Sequence, residues 1–146
     1  MKYILTLFIP ILIFSCKGKQ DPSENDNEQY QEAGLSTEFR SFYNQFLSDS
    51  SYQMEHIDFP LNGLPNLSEV DDYENFKWQE EDWIMHKPLI DPNREFLVET
   101  ETLGPSLVIE TISHKTGTFQ MVRRFAKTSD GWKLIYFQDL NMIPEE

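Results

Sequence analysis

The sequence has a single cysteine, Cys16, in 146 residues. That excludes an intramolecular disulfide framework and any zinc site built from several thiolates. Basic residues are scarce as well: 12 Lys+Arg stand against 25 Asp+Glu, a formal net charge of −13. This balance argues against nucleic acid as a partner, because a phosphate backbone is gripped by a basic face. No apolar run reaches the roughly 20 residues of a membrane-spanning helix; the longest runs only from Tyr3 to Phe14. There is no Gly-x-Ser-x-Gly, no phosphate-cradling glycine loop, no His-Glu-x-x-His and no internal repeat, so the usual signatures of serine hydrolases, nucleotide enzymes and zinc peptidases are missing. Aromatic residues are plentiful. The chain is 39% hydrophobic and 14% aromatic with 11 Phe, enough to build a core and unlike a disordered acidic tail. Its length suits one domain, since domains cluster at about 100–150 residues.

The first sixteen residues carry a targeting signal. Met1-Lys2, the apolar run and Ser15 form a secretory signal sequence. Ile13-Phe14-Ser15-Cys16 resembles the lipobox of bacterial lipoproteins, whose cysteine is lipidated and becomes the new N-terminus. Here Ile13 replaces the usual Leu and Phe14 is bulkier than common. The resemblance implies a lipoprotein signal peptide over 1–15, acyl chains such as palmitate on Cys16, and a lipid-anchored protein of the bacterial cell envelope. Two or more acyl chains hold stably where one does not. Lys17 replaces the aspartate that marks inner-membrane retention in enterobacteria, so the outer membrane is the expected location. The alternatives are an ordinary signal peptide with an incidental cysteine, or a buried N-terminal strand. Cleavage before Cys16 removes Lys2 and no acid, leaving 11 basic and 25 acidic residues and a net charge of −14. Lys17 and Lys19 remain beside the anchor, where they favour anionic headgroups weakly.

Residues 16–34 read as a disordered acidic tether. From Gly18 to Gly34 the only aromatic is Tyr30, and no aliphatic is larger than Ala33. Such a segment cannot bury enough apolar area to offset its chain entropy. As a flexible coil it would hold the rest of the chain on the order of 20–25 Å from the membrane.

Residues 35–146 are expected to form one folded domain. Ser36 or Thr37 can cap a helix whose Phe39, Phe42, Tyr43, Phe46 and Leu47 share a face. Asp49-Ser50-Ser51 starts a second, short helix ending near Glu55, with Ser50 and Gln53 matching a capping box. Ile57, Phe59 and Leu61 alternate with polar residues as a strand, which Pro60 places at a sheet edge or terminus. Asn62-Gly63 then reads as a turn. Residues 64–95 carry no clear period, although Trp78 to Trp83 fits one helical turn between two buried indoles. Four strands follow, Glu95–Glu101, Ser106–Ser113, Thr118–Lys127 and Trp132–Asp139, with a hairpin signal at Ser129-Asp130-Gly131. Helices followed by a run of antiparallel strands make an α+β fold.

Phe39-Arg-Ser-Phe42, Phe46, Tyr52 to Ile57, Phe59-Pro-Leu61, Trp83 and Gly131-Trp-Lys-Leu134 resemble a family of uncharacterised Bacteroidetes lipoproteins with a nuclear-transport-factor-2-like domain. The resemblance implies N-terminal helices packed on a curved antiparallel sheet, in the form of a cone. It covers most of residues 35–146, rests on packing positions, and brings no activity with it.

Pairing the last strands through short even-numbered loops puts Val108, Glu110 and Ile112 on one face with Met121, Arg123 and Phe125, and with Trp132, Leu134 and Tyr136. An odd loop or a bulge would flip either assignment. That face then carries Glu110, Arg123, Tyr136 and Gln138 as ligand-binding candidates lining a pocket in the cone. Otherwise Glu110 and Arg123 form a satisfied ion pair at the open end of the sheet. The other face takes Arg124, Ile135, Phe137 and Asp139; its apolar positions suit a homodimer interface, and Arg124 and Asp139 read as solvated neighbours. His56, His86 and His114 have no metal-ligand spacing, and the acids at Asp71-Asp72 and Glu80-Glu81-Asp82 lack the glycine-centred loop of an EF-hand. No metal, no cofactor and no catalytic residue is assigned. Trp78 and Trp83 either stack on a sugar ring or pack in the core. The leading reading is a non-catalytic domain that binds a small molecule or an envelope protein. The alternatives are a small acid/base enzyme using the same pocket and a structural subunit with a permanent sheet interface.

Overall fold

The computed structural model describes residues 34–70 and 73–144. The expected signal peptide over 1–15, Cys16, the expected tether up to Ala33 and the pair Asp71-Asp72 lie outside the described residues.

Helix α1 spans Thr37–Ser48, and the Ser36 side chain accepts the Phe39 N–H at 3.1 Å. Its stripe is core: Phe39, Phe42, Phe46 and Leu47 are buried. Asp49 ends α1 and caps α2, Ser50–Glu55, by accepting the Tyr52 N–H. The expected capping box does not form. Asp49 takes that role one position earlier, and Gln53 turns inward, where it is fully buried.

Six strands form one sheet in the order β2-β1-β6-β5-β4-β3. They are β1 Ile57–Leu64, β2 Lys77–Trp78, β3 Phe96–Thr102, β4 Leu107–His114, β5 Phe119–Thr128 and β6 Gly131–Met142. Strands β3 to β6 are the antiparallel meander expected from the sequence. Helix α1 lies against the inner face over Phe125, whose ring centroid is 5.5–5.8 Å from those of Phe39, Phe42, Tyr43 and Phe46. Each such buried aromatic contributes roughly 1.5–3 kcal/mol relative to exposure.

Three expectations are corrected at β1. The sheet is mixed, because β1 runs parallel to β6; residues 65–130, with β2 to β5 among them, supply the long connection that parallel neighbours need. Pro60 lies at neither an edge nor a terminus, since β1 sits between β2 and β6. It is tolerated because pairing to β6 is interrupted between Ile57 and Asn62, and β2 pairs only with Leu61 and Asn62. Asn62-Gly63 is not a turn but continues the strand, opposite Tyr136 and Phe137. The glycine serves close approach: a Cβ there would lie 1.8 Å from the Phe137 carbonyl oxygen and 2.8 Å from Trp78 Nε1. Gly63→Ala therefore forces β1 and β6 apart. It should cost about 3 kcal/mol, the upper end of the usual overpacking range, read as a lowered midpoint in urea unfolding.

The stretch without a clear period holds β2 and a 3-10 turn at Glu80–Asp82. Trp78 and Trp83 flank it as expected, half-buried, with ring centroids 5.2 Å and 5.5 Å from Phe137. The Trp78 Nε1–H donates to the Phe137 carbonyl at 3.0 Å. Both indoles are packing groups, not an open stacking platform.

Candidate functional site: a buried carboxylate at the wall of a cavity

Strand register decides which candidates meet. Between β4 and β5 it follows expectation: Val108, Glu110 and Ile112 face Phe125, Arg123 and Met121. The connecting loop falls one residue later than expected but keeps its even length, so the faces are preserved. Near the last turn Thr128 pairs with Gly131 and Phe125 with Leu134. Then β6 inserts Ile135 as a bulge, and the register shifts. Arg123 consequently faces Phe137, while Tyr136 pairs with Arg124 and Gln138 with Val122.

Of the four candidates, Glu110 and Arg123 are brought together, and Tyr136 and Gln138 are carried to the opposite face. Phe137, expected on the outer face, is buried in the inner one. Arg124 is not simply solvated, because its guanidinium lies 4.3 Å from the centre of the Tyr136 ring. That stacking is worth about 0.5–1 kcal/mol at an exposed site.

Glu110 and Arg123 are 3% and 4% exposed, and Arg123 Nε is 2.5 Å from Glu110 Oε2. The Tyr43 hydroxyl donates to Glu110 Oε1, and the Arg123 guanidinium carbon is 5.9 Å from the centre of the Tyr43 ring. The three side chains make a linked polar group on an otherwise apolar face. Both carboxylate oxygens are engaged, which is what burying a charge requires. Tyr43 reads from sequence only as part of the helical stripe; its hydroxyl was the signal that one stripe position needed a polar partner.

A cavity of about 360 Å3 opens beside this group. Phe39, Tyr43 and Leu47 of α1 form one wall, Val108 and Glu110 of β4 another, and Leu89 closes a side. Thr100 of β3, the register partner of Glu110, also lines it. Its size is that of a small-ligand pocket, apolar with a few polar groups that fix orientation.

Gln53 positions the segment that supplies Leu89. Its Nε2 donates to the carbonyls of Phe46 at 2.6 Å and His86 at 2.9 Å. Its Oε1 accepts from the His86 N–H at 2.8 Å and Trp83 Nε1 at 3.0 Å. One buried amide thus ties α1, the 3-10 turn and the start of the 86–90 segment together. The His86 ring packs between Trp83, at 4.6 Å, and Phe137, at 4.5 Å. Burial, helped by the Arg123 charge, lowers its pKa to about 3.

This makes a pH prediction. The unfolded chain protonates His86 below about pH 6.5, whereas the folded protein keeps it neutral to about pH 3. The stabilisation is therefore complete above pH 6.5 and is lost as pH falls through that window. Roughly 3 kcal/mol should go between pH 7 and pH 4. His86→Leu, which keeps the backbone bonds to Gln53, should flatten that part of the stability–pH curve. An unchanged curve would refute the assignment.

Among the described residues no three His, Cys, Asp or Glu side chains are arranged to hold a metal. Glu80, Glu81 and Asp82 lie exposed on the 3-10 turn.

Solved Bacteroides proteins have a similar fold. A cystatin-like protein from Bacteroides caccae superposes with a TM-score of 0.53 at 18% identity, over 68% of this chain and 74% of its own. A nuclear-transport-factor-2-like protein from Bacteroides fragilis gives 0.52 at 20% identity over 73% of this chain, which spans 48% of that protein's length. A protein from Bacteroides uniformis, solved by NMR, gives 0.50 at 18% identity, covering 71% of this chain and 77% of its own. At such identities the likeness establishes the fold and no more. The chain has the α+β architecture shared by nuclear-transport-factor-2-like and cystatin-like proteins. No protein-family model matches the sequence, and no curated protein does.

Proposed function

We propose that the protein is an envelope lipoprotein, of the kind its sequence resembles, whose domain binds a small, mainly apolar molecule in the cavity between α1 and the sheet. The cavity carries this reading. It combines about 360 Å3 of space, a wall of Phe39, Leu47 and Val108, and one carboxylate, Glu110, held at its side, with Arg40 also on its lining. The ligand class that fits has an apolar body and one hydroxyl or amine to donate to the carboxylate. An acid/base enzyme would need the same carboxylate free to take a proton. Here Tyr43 and Arg123 already occupy one site on each oxygen, which suits a fixed anchor better than a base.

The test uses 1-anilinonaphthalene-8-sulfonate as an apolar probe. Its fluorescence should rise on the wild-type protein and fall back in Asn44→Phe, which fills the cavity from an exposed α1 position. Equal fluorescence with both proteins would place the probe elsewhere and sink the reading.

Anchoring is tested separately. Cys16→Ala should move the protein from the membrane fraction to the soluble one, because the acyl chains would be lost. A variant that still sediments with membranes would refute lipidation at Cys16.

A further inference from the structure

We propose that the free edge of β3 takes up an extended peptide as a seventh strand, and that the peptide is basic on alternate residues. The two ends of the sheet differ. At one, β2 is only two residues long, a short edge of the kind that blocks further pairing. At the other, β3 runs seven residues from Phe96 to Thr102, without proline, as the terminal strand.

The ladder shows which backbone groups are free. The Lys115 N–H donates to the Glu95 carbonyl, and the Leu103 N–H to the Leu107 carbonyl. Antiparallel pairing alternates, so the odd-numbered residues of β3 face β4 and the even-numbered ones face outward. Asp91 Oδ2 accepts the Phe96 N–H at 2.7 Å and so closes the start of that edge. The N–H and C=O groups of Val98, Thr100 and Thr102 remain, directed away from the sheet and without a backbone partner among the described residues. They are a template for strand addition.

Side chains choose the occupant. Leu97, Glu99 and Glu101 project from the outer face of β3 and are exposed, whereas Val98 is buried and Thr100 is half-buried on the inner face. A second copy of the chain pairing edge to edge would bring Glu99 and Glu101 against their own copies, which like charges oppose. The same two carboxylates attract lysine or arginine on a neighbouring strand, and Leu97 offers apolar surface to their aliphatic stems. The peptide's intervening side chains fall on the inner face, beside Val98 and Thr100, and are therefore small or apolar. Thr100 also lines the cavity, so an added strand would lie along its rim. The experiment adds no cavity ligand, so the two sites are tested apart.

The experiment follows amide hydrogen exchange of the full-length protein with an eight-residue peptide of alternating lysine and valine. The control peptide has the same composition with its lysines in one block, which tests plain attraction to a protein of net charge −13. The alternating peptide should slow exchange at Val98, Thr100 and Thr102, and the block peptide should not. Reversing both exposed charges, Glu99→Lys with Glu101→Lys, should weaken binding by about tenfold or more. Thr100→Pro, which removes the central donor at an edge position, should abolish protection; the charge variants decide the matter if that protein does not fold. Protection by both peptides alike, protection elsewhere in the chain, unchanged binding to the charge-reversed protein, or no protection at millimolar peptide would each overturn the proposal.

Discussion

Gln53→Leu should lower the unfolding free energy by about 4 kcal/mol or more, because four buried hydrogen-bonding groups lose their partner at once. The side chain is completely buried and uses both amide hydrogens and two acceptor positions. Leucine matches its size but satisfies none of the carbonyls of Phe46 and His86, the His86 N–H or the Trp83 indole N–H. Each unsatisfied buried group costs about 1–3 kcal/mol. The variant also has a local signature. Trp83 and His86 are tied to the helices through this amide, so the 86–90 segment that carries Leu89 to the cavity loses its anchor. Hydrogen exchange should accelerate at the His86 amide more than in β4 or β5, and the tryptophan fluorescence should shift to the red. A uniform loss of stability with no local change at His86 would show that Gln53 is only a space-filling core residue.

Arg123→Met is expected to cost about 3–5 kcal/mol, since it leaves the Glu110 carboxylate buried with one partner. The pair lies mid-sheet with both side chains almost fully covered. Adding Glu110→Leu to Arg123→Met should recover most of that loss. A well-packed apolar pair is often as stable as a buried ion pair, and only the broken pair is penalised. The double-mutant cycle therefore gives a coupling energy of the order of the single-mutant cost. If the double variant is as unstable as the sum of the singles, the two residues do not act as a pair. A second readout comes from His86, whose low pKa owes a part to the Arg123 charge. Removing that charge should raise the His86 pKa and narrow the pH window over which stability is lost. The double variant should show the same shift.

The helices and the meander were legible because their signals are local. Ser36 caps α1, the apolar stripe from Phe39 to Leu47 repeats at helical spacing, and the turns at Gly117 and Gly131 use the positive φ that glycine allows. Loop parity was also readable between β4 and β5, and with it the meeting of Glu110 and Arg123. The acidic composition likewise belongs to the sequence alone, as does the lipobox resemblance at Cys16.

What remained needed contacts between distant residues. No local rule reveals that Ile135 bulges out of β6, because the bulge satisfies the fit of the far half of β6 against β1 and β5, and that one inserted residue moved Tyr136 and Gln138 off the inner face. Asn62-Gly63 looks like a turn until the Phe137 carbonyl is seen against it. Gln53 matches a capping box until Asp49 takes the cap. Tyr43 counts as one more core aromatic until β4 places a carboxylate under its hydroxyl. Periodicity tells which side chains must leave water. Which buried polar atoms then satisfy one another depends on register and on strands far apart in the chain, and the cavity with its single carboxylate exists only at that level.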